Sequence, residues 1–176
     1  LITDYELVRK EQPVSKKKKR THYLINSNII DFWFTYCFSH VEELDRGEEE
    51  SVYERFLKHF PTFYGKKFES MVIRLLPDFL KAKGIEYRSI GKDWGNDYEF
   101  DFVIENSDRI YIGEIKAGDL NVQAETGKIE SIVQREAYYR NKKINYILIA
   151  RKFSNKVIGD NILYVDIREF FEHRLP

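Results

Sequence analysis

Apolar positions along this chain alternate between the helical period of 3.6 and the strand period of two, and the switches divide it into elements. Phe68, Val72, Leu75, Leu76 and Phe79 form one stripe and predict a helix over 65–83. Gly84 follows where a helix end favours a residue of positive φ. The period then shortens. Strands are expected at 85–90 (IEYRSI), 98–105 (YEFDFVIE) and 109–117 (RIYIGEIKA), with a loop at 91–97 (GKDWGND) and a tight turn, NSDR, before the third. A looser segment covers 118–127. Ile129, Ile132, Val133 and Ala137 then predict a helix over 128–141. The apolar run 144–150 reads as a central strand covered on both faces. Residues 161–167 form a last strand and 168–175 a last helix. This order of elements belongs to an α/β domain.

The first third is patterned differently. Strand-like segments at 5–12 and 21–26 flank Pro13 and the run Lys16, Lys17, Lys18, Lys19 and Arg20, the layout of a hairpin with a basic tip. Such a tip is either an arm for nucleic-acid phosphates or a solvated turn. Residues 27–46 read as one helix, capped by Ser27 or Asn28. Ile30, Trp33, Phe34, Cys37, Phe38 and Val41 line its apolar face, which Ile29, Phe32 and Tyr36 widen. After a polar break at 47–50, a second short helix over 48–60 turns Val52, Phe56, Leu57 and Phe60 inward. So broad an aromatic face is either core or a docking surface.

Composition narrows the class. With 43% hydrophobic and 33% charged residues, the chain reads as a globular protein rather than a disordered one. Its 176 residues suffice for one domain and a small appendage. The formal net charge of zero means that any nucleic-acid role needs a local basic patch. The single cysteine, Cys37, excludes an intramolecular disulfide. There is neither a signal-peptide layout nor a membrane-length apolar run, so a cytoplasmic location and no membrane partner are expected. The start at Leu1 instead of Met suggests a piece of a longer polypeptide. His22, His40, His59 and His173 show no metal-ligand spacing, and Gly127-Lys128 lacks the partner glycine of a phosphate loop.

Candidate chemistry sits in the middle of the strands. Alternation places Glu99 and Asp101 on one face, with Phe100 and Phe102 on the other. Glu114 and Lys116 likewise share a face. Pairing through the NSDR turn would set these groups side by side, where burying charge requires a partner. Glu69 lies on the same edge of its helix as Val72, Ile73 and Leu76. Carboxylate oxygens in this number suit Mg²⁺ or Mn²⁺. Such an ion, with Lys116 beside it, is suited to phosphodiester chemistry. Without an ion, the same residues form a structural salt-bridge cluster. Trp94 either closes the mouth of this site or belongs to the core.

The spacing Asp101-x12-Glu114-Ile115-Lys116, with Glu69 on the preceding helix, resembles the PD-(D/E)xK nucleases. More narrowly, residues 22–153 resemble the DUF234 region at the C-terminus of archaeal-type P-loop ATPases. That likeness rests on YLINSNIIDFWF (23–34), FYGKKFESMV (63–72), KDWGNDYEFDFV (92–103), IGEIKAG (112–118) and YILIARKF (146–153). It implies a restriction endonuclease-like mixed sheet flanked by helices over 63–176. A helical linker over 27–62 and a partial winged-helix hairpin over 1–26 would precede it. It further implies Asp101, Glu114 and Lys116 as catalytic residues, Glu69, Asp101 and Glu114 as metal ligands, and Glu99 and Gln134 as accessory residues. DNA is the implied partner, with a P-loop ATPase domain, which would bind the ATP, in the same longer chain. Two functions are expected: a divalent-metal-dependent DNA endonuclease, or an inactive module of the same fold that grips nucleic acid or protein and regulates the ATPase.

Overall fold

The structure, a computed structural model, describes residues 7–15 and 21–172. The basic run Lys16–Arg20 lies outside the described residues, as do 1–6 and 173–176. The described chain divides into two compact units, 7–11 with 21–67 and 12–15 with 68–172.

In the first unit, β1 (Val8–Glu11) pairs antiparallel with β2 (His22–Ile25), the expected hairpin. Then comes α1 (Asn28–Phe32), whose Ile30 N–H donates to Ser27 Oγ at 3.4 Å. The expected single helix over 27–46 is interrupted. A π-turn at Trp33–Cys37 and a 3₁₀ turn at Phe38–His40 precede α2 (Val41–Asp45). A π-turn adds a residue to the helical repeat and rotates everything after it. Of the two readings of the apolar stripe, core or docking surface, much of it is found exposed. Trp33, Phe34, Phe38 and Val41 are exposed, and Tyr36 is the buried residue of the turn. Tyr36 packs edge-on against Phe56 and Phe63, and Phe32 packs against the same two rings.

The chain passes into the second unit within α3 (Glu49–Ala82), a single helix where two were expected with a break between them. The helix runs through Pro61 and Gly65, residues that ordinarily disfavour a helix interior. At its end, Gly84 adopts φ +67° and the Ile85 N–H bonds the Leu80 carbonyl at 2.9 Å, as expected for a glycine helix stop.

The second unit is a mixed five-stranded sheet between helices. The strands β3 (Ser89–Trp94), β4 (Glu99–Glu105), β5 (Arg109–Asn121), β6 (Lys143–Ser154) and β7 (Ile162–Asp166) lie in sequence order. β4 runs antiparallel to both β3 and β5, while β6 and β7 run parallel to β5. Residues 68–82 of α3 and helix α5 (Ile167–Glu172) cover one face, in a core of Phe68, Val72, Leu76, Phe102, Ile115 and Ile149. Helix α4 (Val122–Arg135) covers the other, with Phe100, Val103, Ile112, Ile129 and Tyr139.

Three boundaries move from their expected places. The first sheet strand begins at Ser89, so 91–94 belongs to it and not to a loop. The supposed loose segment 118–127 is the end of β5 and the start of α4. That helix ends at Arg135, which leaves Ala137 outside it. Trp94 is core, 4% exposed.

Candidate acidic site at the fork of two strands

A bulge shapes the site. Gly91 pairs with Val103, and Asp93 with Phe100, so Lys92 of β3 faces both Asp101 and Phe102 of β4. An extra residue in one strand turns two successive side chains to the same side. Phe100 therefore packs with the α4-side cluster and Phe102 with the α3-side cluster. The simple alternation that put both rings on one face is corrected by this bulge.

The pairing of β4 with β5 ends at Phe102 and Gly113. Beyond it the strands part, and Asp101 and Glu114 stand at the fork. Glycine is required at 113, because a Cβ there would lie 1.8 Å from the Phe102 ring. The Ile115 N–H donates to Asp101 Oδ2 at 2.8 Å, which turns the carboxylate back onto β5. Ile115 points to the α3-side core, so Glu114 and Lys116 point to the α4 side. The Lys116 ammonium lies 3.0 Å from Glu114 Oε1. From residues 68–82 of α3, Glu69 approaches the β3 side, with Oε2 3.6 Å from Lys92 Nζ. Lys92 also donates to Glu99 Oε1 at 2.9 Å.

Burial dominates the electrostatics. Removal from water raises the Asp101 carboxyl to about 6, helped by Glu69 and opposed by the Ile115 N–H and by Lys92 and Lys116. Burial and the Asp101 charge raise Glu114 to about 7, against the pull of Lys116. Burial also raises Glu69, with Lys92 offsetting part of it. Burial opposes the charge on both lysines, yet the carboxylates around them hold Lys92 and Lys116 above the ordinary lysine pKa. These are hard oxygen donors in a poorly solvated place, the donor chemistry that Mg²⁺ or Mn²⁺ favours. Among the described residues, however, no three His, Cys, Asp or Glu side chains are gathered closely enough to hold a metal as they stand.

The family of archaeal and bacterial proteins of unknown function designated DUF234 has a sequence model that matches residues 33–129, more than half of the chain. The chain belongs to the DUF234 family. An uncharacterized protein of Methanocaldococcus jannaschii is 23% identical over 182 residues, which cover 96% of this chain and 40% of that protein. The chain thus spans well under half the length of this relative.

The matched stretch of this DUF234 chain holds Glu69, Glu99, Asp101, Glu114 and Lys116. Gln134 stands apart from them as an exposed residue in the last turn of α4. The α4 residue that bears on the site is Glu125, whose charge acts on Glu114 and Lys116. Lys92 and Glu125 are the site neighbours missed by the sequence pattern. Both fell in stretches read as loop, where no face could be assigned. A lysine one strand away from Glu99 and Asp101, and a glutamate in a helix's first turn, are the signals that would have found them. Asp93, on the opposite face of β3 from Lys92, has a different surrounding. It accepts from Tyr139 Oη at 2.6 Å, from Tyr98 Oη at 3.0 Å and from the Ser15 N–H at 3.0 Å, and so is a satisfied structural carboxylate.

Proposed function

We propose that the second unit is a divalent-metal-dependent DNA endonuclease domain of the PD-(D/E)xK, restriction endonuclease-like kind. In this reading it works in the cytoplasm as part of a longer polypeptide whose P-loop ATPase domain binds ATP. The hairpin of the first unit would be the remnant of a winged helix. The observation that carries the reading is the fork of β4 and β5, where half-buried Asp101 and buried Glu114 meet beside Lys116 with Glu69 close by. Asp101 and Glu114 would hold Mg²⁺ or Mn²⁺, with Glu69 as a further ligand.

Such an ion supplies positive charge to a phosphodiester and makes a nearby water more acidic. The chain's own groups have distinct tasks. The Ile115 N–H fixes the Asp101 carboxylate, and Glu114 fixes the Lys116 ammonium. Lys116, whose charge the neighbouring carboxylates favour, would orient or deprotonate the attacking water or offset transition-state charge. Glu99 takes part through Lys92.

The test is Mn²⁺ titration calorimetry, followed by cleavage assays on duplex, single-stranded and branched DNA. Asp101→Ala is expected to abolish both binding and divalent-dependent cleavage while the circular dichroism spectrum is retained. Cleavage that survives this substitution rejects the site assignment. The alternative, an inactive module that grips nucleic acid or protein, is favoured by one observation: the carboxylates are not gathered into a three-ligand set. Undiminished DNA binding by Asp101→Ala, with no cleavage by either protein, is the result expected of that alternative.

A further inference from the structure

Lys92 is placed with unusual care. Its backbone sits opposite the β4 bulge, and its carbonyl accepts the Val14 N–H at 3.0 Å from the other side. Bulges of this kind re-aim side chains beside functional sites. The Lys92 side chain is only 15% exposed. It has two carboxylate partners, Glu99 at 2.9 Å and Glu69 at 3.6 Å, and the Asp101 charge also acts on it. A lysine this buried is stable only where anionic charge surrounds it. The shorter contact ties Lys92 to Glu99, on the outer side. The longer one reaches toward Glu69, the carboxylate nearest the fork from α3.

We propose that Lys92 is the resident counter-cation of this acidic cluster, a positioning residue that competes with a divalent cation for Glu69. The inference rests on the metal-site reading given above. Without a divalent ion, the ammonium of Lys92 neutralises Glu69. When an ion enters, Glu69 exchanges the ammonium for it, and Lys92 is retained by Glu99. Lys92 thereby sets how much divalent ion the site needs before it fills.

The sign of the effect separates this role from a purely structural one. Lys92→Gln keeps hydrogen-bonding capacity but removes a positive charge beside the ligands. It is expected to tighten Mn²⁺ binding about tenfold in calorimetry at constant ionic strength. Lys92→Arg, which keeps the charge, is expected to restore the wild-type affinity. In a Glu69→Gln background the gain from Lys92→Gln is expected to shrink, because the ion pair between the two residues is then gone. Lys92→Met serves as a second neutral variant, with the same expected sign, should Lys92→Gln melt early. Wild-type binding with an unchanged or weakened Lys92→Gln affinity overturns the inference and leaves the metal site standing. An undiminished gain in the Glu69→Gln background overturns the competition for Glu69. If the wild type binds no Mn²⁺ at all, the inference and the metal-site reading fall together.

Discussion

Asp101 and Glu114 show how position makes ordinary carboxylates hold their protons more tightly. Each sits in a strand whose neighbours are core residues, and each is raised first by loss of water and then by an acidic neighbour, Glu69 for Asp101 and Asp101 for Glu114. The alternation of apolar and charged residues made both legible in the sequence, together with Lys116. Lys92 was not legible, because its stretch reads as a loop, and which β4 residues it faces depends on a bulge, a property of two paired strands. Gly113 carries a related message. Its missing side chain makes room for the Phe102 ring, which the same bulge turns to that side. Gly113→Ala must displace the ring, and overpacking of this sort costs about 1–3 kcal/mol. A lower urea midpoint with an unchanged slope is the expected result.

Among the elements, β4 to β7 lie where the strand period puts them, the expected strand at 85–90 shares only Ser89 and Ile90 with β3, and the helices depart further. The stripe from Phe68 to Phe79 and the glycine stop at Gly84 follow from local pattern alone. The break expected between residues 60 and 65 does not occur, because proline and glycine lower helix propensity by amounts that packing on either side can outweigh. Gly65 therefore weakens a helix that forms in spite of it. A Cβ at this position would meet nothing within 4 Å. Gly65→Ala is accordingly expected to stabilise the protein by about 0.5–1 kcal/mol, read as a higher midpoint in urea denaturation. The opposite error occurred at 27–46, where a good helical period hides a π-turn. Sequence period cannot reveal an inserted residue when aromatics lie on every side of the helix, as Phe32, Trp33, Phe34 and Tyr36 do here.

For the molecule as a whole, the cost of the buried acids should appear in its response to pH. Both Asp101 and Glu114 have folded-state pKa values, about 6 and about 7, above those of unfolded carboxyl groups. Their contribution to stability is complete below pH of about 4 and is lost as pH rises through 6 and 7. The metal-free protein is therefore expected to melt at a lower temperature at pH 8 than at pH 5.5, with Tm falling by about 2–4 °C per kcal/mol lost. The double variant Asp101→Asn/Glu114→Gln is expected to flatten this dependence, and scanning calorimetry across the range checks it. Asp166, held down to about 2 by Arg168, acts in the opposite sense and only at lower pH. No helix among the described residues is long and apolar enough to cross a membrane. The outward aromatics Trp33, Phe34 and Phe38 are a separate property of the first unit, and the sequence stripe that contains them reads equally well as core.

The sequence by itself determined the strand cores, the α3 stripe, the glycine stop and the acidic residues of the fork, because each depends on a period or a local conformation carried by adjacent residues. Only the tertiary structure decided that β4 bulges opposite Lys92, that Glu125 rather than Gln134 bears on Glu114, and that the aromatic stripe of 27–46 turns outward. Those outcomes depend on strand register, on where a helix starts and on one inserted helical residue. A shift of one residue in register exchanges the faces of everything that follows it, and register is fixed by contacts between segments far apart in the chain.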